Sequence, residues 1–191
     1  MRRSAVILFP VLLGLAAACA REPDYDVVIR NGMLYDGTGA PPVAGGVAIR
    51  GDSIVRIGDV DGLRGRTEID AGGLAIAPGF INMLSWATES LLHDGRAQSD
   101  VRQGVTLEVF GEGWSMGPLN DAMKEQMLRE QGDIRYDVAW TTLAEYLEHL
   151  ERRGVSVNVA SFIGATTVRI HELGFVDRAP ASDELARMQD L

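Results

Sequence analysis

Few residues in this 191-residue chain are able to do chemistry, and most of them lack partners at a useful spacing. Histidine occurs only at His93, His149 and His171. No two of them stand in a His-x-His or i, i+4 relation that would aim two imidazoles at one ion, so each reads as a surface residue. The strongest candidate is Glu112, in the run Phe110-Gly111-Glu112-Gly113-Trp114-Ser115, which follows the strand-like stretch Val105 to Phe110. The carboxyl end of a strand, in a parallel barrel or a doubly wound sheet alike, is where active sites form. A carboxylate there serves as a metal ligand, a catalytic-site carboxylate or a polar contact to substrate, with a solvated loop residue as the alternative. Trp114 and Ser115 in the same loop are candidates for shaping a substrate pocket, or for packing and turn formation. Trp86, in Asn82-Met83-Leu84-Ser85-Trp86, is a candidate pocket wall, with packing again as the alternative.

The elements that must carry these residues fall into two regimes. Between residues 25 and 77 the pattern is β-rich. Val27 to Ile29 and Met33 to Tyr35 flank Asn31-Gly32, Val47 to Arg50 and Ser53 to Ile57 flank Gly51-Asp52, and Thr67 to Ile69 and Leu74 to Ala77 flank Ala71-Gly72-Gly73. Six short strands with turn dipeptides between them predict a small antiparallel sheet unit with hairpins at those turns. From Pro78 the rhythm changes to apolar runs at 79–84, 105–110 and 155–163 alternating with helical patterns, as in a parallel α/β fold. Helices are expected over 91–103 and 119–131. A well-marked one follows Thr142, whose Glu145 completes a capping box, whose Leu143, Tyr146, Leu147 and Leu150 share a face, and which Gly154 ends. A last helix starts near Ser182. Three parallel strands cannot close a barrel and leave an unpaired edge, so, as part of a parallel barrel or of a doubly wound sheet, the unit over 78–191 is expected to be incomplete and truncated.

Composition excludes several classes of protein. A formal net charge of −9, spread along the chain, opposes nucleic-acid binding. Residues 1–19 have signal-peptide grammar: Arg2 and Arg3 precede an apolar run that ends in Ala16-Ala17-Ala18-Cys19. That run, broken by Pro10 and Gly14, is short of the ~20 apolar residues a membrane-spanning helix needs. The expectation is export to the periplasm, with Cys19 as a lipid-anchor site and membrane association only through that leader or anchor. Cys19 is the sole cysteine, so no intramolecular disulfide forms.

A family resemblance rests on several motifs together. These are Tyr25-Asp26-Val27-Val28-Ile29-Arg30-Asn31-Gly32, Asp36-Gly37-Thr38-Gly39, and Ile69-Asp70-Ala71-Gly72-Gly73 leading to Ala77-Pro78-Gly79-Phe80-Ile81. The chain resembles the opening of the amidohydrolase superfamily. Val101-Arg102-Gln103-Gly104-Val105-Thr106, Asn158-Val159-Ala160-Ser161-Phe162-Ile163-Gly164 and Arg178-Ala179-Pro180 are similar to its N-acyl-D-amino-acid deacylase, or D-aminoacylase, branch. The resemblance implies a small β-sandwich attached to a (β/α)8 TIM barrel, zinc as cofactor, and hydrolysis of a carbon–nitrogen bond in a small N-acyl amide. It also implies departures. Leu84 and Trp86 stand where a His-x-His metal pair is expected, and neither supplies the nitrogen, oxygen or thiolate donors zinc requires. Glu112 aligns with a metal-binding cysteine, and Ala165 stands where a histidine follows Gly164. Arg169 nearby is read as a helix-surface salt bridge, with a substrate carboxylate as its other partner. The chain alone is expected to be inactive, because the remaining machinery of the family lies on later strands. The alternative is a lipid-tethered binding protein on the same fold that has lost catalysis.

Overall fold

The computed structural model describes residues 23–191, so the expected leader and Cys19 lie outside the described residues. The chain divides into two compact units, one ending at Pro78 and the other spanning Gly79–Leu191. Among the described residues no helix is long and apolar enough to cross a membrane.

The first unit is a five-stranded mixed sheet, with strand order β3-β2-β1-β4 and β5 also paired with β1. Its strands are β1 (Tyr25–Leu34), β2 (Val43–Arg50), β3 (Ser53–Gly58), β4 (Gly65–Asp70) and β5 (Ala75–Ile76). The Gly51-Asp52 hairpin forms, since β2 and β3 pair antiparallel with Arg50 opposite Ser53. The hairpin expected at Asn31-Gly32 does not. β1 runs straight through that dipeptide as a bulge, because β2 is long enough to pair with both of its halves, Val27 to Ile29 and Gly32 to Leu34. Asn31 takes φ +55°, a left-handed conformation its short polar side chain tolerates, and its side chain donates to Asp70 at 3.1 Å. The strands around Ala71-Gly72-Gly73 likewise do not form a hairpin with each other. β4 and β5 both lie parallel to β1, so the unit is not purely antiparallel. Val28, Ala48 and Val60 make its small core. Arg30 fastens the following turn by donating to the carbonyls of Val60, at 2.6 Å, and Leu63.

The second unit carries a three-stranded parallel sheet, β6 (Phe80–Asn82), β7 (Val105–Phe110) and β8 (Asn158–Ser161), with β7 in the middle. The three strands do not close on themselves. The helices are α1 (Thr88–His93), α2 (Gln98–Val101), α3 (Asp121–Glu130), α4 (Leu143–Arg153), α5 (Ala165–Leu173) and α6 (Ser182–Asp190). The single helix expected over 91–103 is thus two short ones. α4 forms as its caps dictate: Thr142 Oγ1 accepts from Glu145 N at 3.1 Å, Glu145 accepts from Thr142 N at 2.9 Å, and Gly154 leaves the helix with φ +81°.

Phe110 and Val159 pack one face of the sheet against Leu91, Leu92, Tyr146, Leu150 and Ile170 from the helices. At the centre sits Trp140, 2 % exposed, tilted against Tyr146 with ring centroids 5.2 Å apart and donating its indole N–H to the Met116 carbonyl at 2.7 Å. Burying residues of this size dominates the stability of a unit this small. On the other face Ile81 and Ala160 are exposed while Val109 is buried.

α6 is held to α5 by ionic contacts: Arg187 pairs with Glu172 at 2.8 Å. Arg178 pairs with Glu184 at 2.6 Å, and it holds that carboxyl well below its usual 4.5, at about 2. A depressed folded-state pKa contributes stability above the unfolded value that is lost as pH falls through the folded one. Loosening of the α6 end is therefore expected as pH falls from about 4.5 toward 2, followed by amide exchange in residues 178–190. Arg178→Ala is expected to loosen the same residues already at neutral pH.

Candidate active site

At the carboxyl ends of β6 and β7 lies a cleft of about 360 Å³. Its walls come from three separated stretches, represented by Trp86 and Glu89, by Glu112 and Trp114, and by Glu130 and Tyr136. Backbone and side-chain bonds hold each wall. The turn after β6 is tied to β7 through Ser85 N and Val109 O at 3.0 Å, and Ser85 Oγ accepts from Ala87 N at 3.2 Å, directly ahead of α1. Tyr146 donates to the Thr88 carbonyl at 2.9 Å, fixing the start of α1. After β7 the chain needs a left-handed residue, and Gly111 supplies φ +80°. A Cβ at Gly111 would also meet the Phe162 carbonyl, so the glycine answers to both backbone angle and close approach. The third wall is joined to the first by Tyr136, whose hydroxyl donates to Glu89 at 2.7 Å. Burial, with that carboxylate beside it, pushes the Tyr136 phenol far above its usual range, so it remains the donor.

Glu112 lines the cleft, exposed, and its carboxylate has no hydrogen-bond partner among the described residues. Trp86 lines it too and is 78 % exposed. Trp114 is half-buried, with one part on the cleft and the rest against the core. Of the two readings of Ser115, pocket or packing and turn, the structure shows the second. Ser115 is fully buried, donating from Oγ to the Gly117 carbonyl at 2.6 Å and accepting from Gly164 N at 2.9 Å, while its own N–H donates to Thr167 at 2.7 Å. Its hydroxyl is spent inside the protein as a lock between the loop after β7 and the start of α5. Leu84 is 54 % exposed on the cleft rim. Among the described residues Arg169 makes no salt bridge; it donates to the carbonyls of Val176 and Arg178, each at 2.8 Å, and so folds the segment after α5. His93, His149 and His171 lie apart, on α1, α4 and α5. His149 is half-buried against Trp140, with ring centroids 5.4 Å apart.

A metal does not fit the residues present. Leu84 and Trp86 offer no donor atoms, and among the described residues no three His, Cys, Asp or Glu side chains converge on a point that an ion would occupy.

Sequence reasoning passed over Glu108, in the middle of β7. It shares the helix-packed face with Phe110 and is fully buried. Oε2 accepts from Asn82 Nδ2 at 3.2 Å, and Oε1 has no partner among the described residues. Asn82 Oδ1 in turn accepts from Leu84 N at 3.3 Å, so the pair braces the turn that carries Leu84 and Trp86. An acidic residue among Leu107, Val109 and Phe110 was the available signal. Asn82→Ala is expected to cost about 1–3 kcal/mol, because it leaves a buried carboxylate with no donor. Adding Glu108→Leu should recover most of that loss in the double variant, as urea unfolding would measure.

No family model matches the chain. A D-aminoacylase of Alcaligenes xylosoxydans xylosoxydans is 33 % identical over 171 residues, covering 87 % of this chain and 34 % of the relative. A solved D-aminoacylase with a binuclear metal center superposes with a TM-score of 0.73 at 32 % identity, over 87 % of this chain and 35 % of that one. The N-acyl-D-glutamate deacylase of Bordetella bronchiseptica, complexed with zinc and a phosphonate inhibitor, gives 0.73 at 26 % identity, with the same coverage of 87 % and 35 %. The strands of the second unit, with a cleft at their carboxyl ends, carry the amidohydrolase fold. In sequence and fold alike the chain is similar to that superfamily's D-aminoacylase branch, over 87 % of its length. The chain spans about a third of the length of the curated relatives it matches. No comparison supports the lipid-tethered binding protein.

Proposed function

We propose that the protein is a hydrolase of the carbon–nitrogen bond in small N-acyl-D-amino acids, and that the cleft between Trp86, Glu112 and Tyr136 holds the substrate. The observation that carries this reading is the place of Glu112: a carboxylate without a protein partner among the described residues, on the wall of a cleft at the carboxyl end of β7. Active sites of this fold class form at that position. Amide hydrolysis needs a group that takes a proton from the attacking water and returns one to the leaving amine. Glu112 takes that role: the water oxygen bonds to the acyl carbon, its proton passes to the carboxylate, and the amine leaves with the proton as the carbon–nitrogen bond breaks. Trp86 and Trp114 supply apolar surface for the acyl chain. No step is assigned to zinc, since the residues present do not hold it; the ligand role expected for Glu112 would take its further donors from other residues. Export, and lipidation at Cys19, belong to the same proposal and rest on the leader sequence alone.

The test is release of free amino acid from N-acetyl-D-amino acids and their L-enantiomers by the full-length protein. Turnover of the D series above the L series supports the reading. Absence of hydrolysis in both series overturns it.

A further inference from the structure

We infer that Asn31 is a site of spontaneous covalent modification, ring closure onto Gly32 followed by hydrolysis to aspartate or isoaspartate, and that Asp70 holds this reaction in check while the first unit is folded. Neither the cleft nor its chemistry enters. Asn31-Gly32 is the one Asn-Gly pair in the chain, since Asn82, Asn120 and Asn158 precede methionine, aspartate and valine. The Gly32 nitrogen attacks the side-chain carbonyl carbon of Asn31, a five-membered succinimide closes, and the side-chain amide departs as ammonia with the proton that the Gly32 nitrogen gives up. Water then opens the ring at either carbonyl, leaving aspartate, or isoaspartate with the backbone rerouted through the former side chain. A following glycine favours the attack, because it puts no side chain beside the nitrogen and leaves the backbone free to reach the required angle.

The fold demands both members of this labile pair. β1 bulges here between its two stretches of pairing with β2, and Asn31 takes φ +55°, which a short polar side chain tolerates and a β-branched one does not. Gly32 is buried opposite Gly45, and a Cβ there would collide with the Ile76 side chain. What the fold adds is restraint on both reacting groups. Asn31 Nδ2, the leaving amide, donates to Asp70 Oδ1 at 3.1 Å, which ties the side chain to the end of β4 instead of leaving it to fold back on the next nitrogen. The Asn31 carbonyl accepts from Gly73 N at 2.7 Å, which fixes the peptide plane carrying that nitrogen. Asp70 is itself anchored, since it also accepts from Gly72 N at 2.9 Å, and the two bonds hold its carboxyl below the usual range. Asn31 is exposed, so these hydrogen bonds, and not exclusion of water, are the restraint. Either product sets a carboxylate against Asp70 where a donor stood, and like charges at that spacing repel. A modified chain therefore loses the tie to Asp70 permanently.

The test follows conversion at position 31 in the full-length protein at mildly alkaline pH, by peptide mass spectrometry with the isoaspartyl peptide separated chromatographically, in native buffer and in urea. The folded protein is expected to convert about tenfold more slowly than the unfolded chain, because reaction must wait for local opening. Asp70→Ala, shown by circular dichroism to be folded, should convert about fivefold faster than the wild type, the range of one hydrogen bond to a charged acceptor. Asp70→Asn keeps an acceptor oxygen in place and should stay within about twofold of the wild type. A further measurement needs no variant: in urea below the unfolding transition, conversion should rise in step with hydrogen exchange at the Gly73 amide, which the same local structure protects. Conversion of the folded wild type as fast as in urea, no conversion at Asn31 in urea, or a folded Asp70→Ala protein that converts no faster than the wild type would overturn the inference.

Discussion

Replacing Trp140 with alanine is expected to destabilise the second unit by about 3–5 kcal/mol, the range for removing a fully buried large aromatic. That is a large share of the ~5–15 kcal/mol that holds an ordinary domain folded. Two effects add. The indole is 2 % exposed and packs against Tyr146, His149 and Tyr136, so its loss leaves a cavity at the centre of the helix layer. The Met116 carbonyl also loses its donor, at 2.7 Å, in a residue that lines the cleft. Trp140→Phe separates the two, because it keeps most of the apolar volume and removes only the hydrogen bond. Its expected cost is about 1–2 kcal/mol, nearer that of one buried unpaired carbonyl. Urea unfolding followed by near-ultraviolet circular dichroism measures both variants. Equal losses would mean that the hydrogen bond, not the packing, dominates.

The second large effect is on rate. Glu112→Gln is expected to lower kcat about 10²–10⁴-fold, the usual span for a positioned proton-transfer group, with KM changed far less. The amide keeps the shape and hydrogen-bonding reach of the carboxylate while removing its basicity. Glu112 is exposed, so folding should change by no more than about 0.5 kcal/mol. Steady-state kinetics on an N-acyl-D-amino acid checks the split. A rise in KM with kcat intact would make Glu112 a binding contact, and no change in either would return it to the solvated loop.

How much of this was legible in the sequence follows from the range of each signal. α4 was legible because all its determinants are local: Thr142 and Glu145 are three residues apart, and Gly154 alone makes the stop. The parallel runs and the loop bearing Glu112 were legible for the same reason. Asn31-Gly32 misled because a turn dipeptide reports only local preference. The continuous β2 strand, paired with both halves of β1, converts the expected reversal into a bulge. The two readings of Ser115, pocket or packing, could not be separated locally, because its hydroxyl and backbone find partners at Gly164 and Thr167, beyond the reach of any local pattern. The cleft as a whole was hidden likewise. Glu89 and Tyr136, which join two of its walls, are 47 residues apart, and nothing in either neighbourhood announces the other. Glu108 was visible as a residue but not as a buried one, since burial of an acid is decided by the helices laid over it.

The most direct measurement is a crystal structure of the full-length protein with a phosphonate analogue of an N-acyl-D-amino acid. The ligand is expected in the cleft, its acyl chain against Trp86 and Trp114, and Glu112 within about 3.2 Å of the phosphonate or its leaving-group position. A ligand bound elsewhere, with these three side chains facing only solvent, would contradict it.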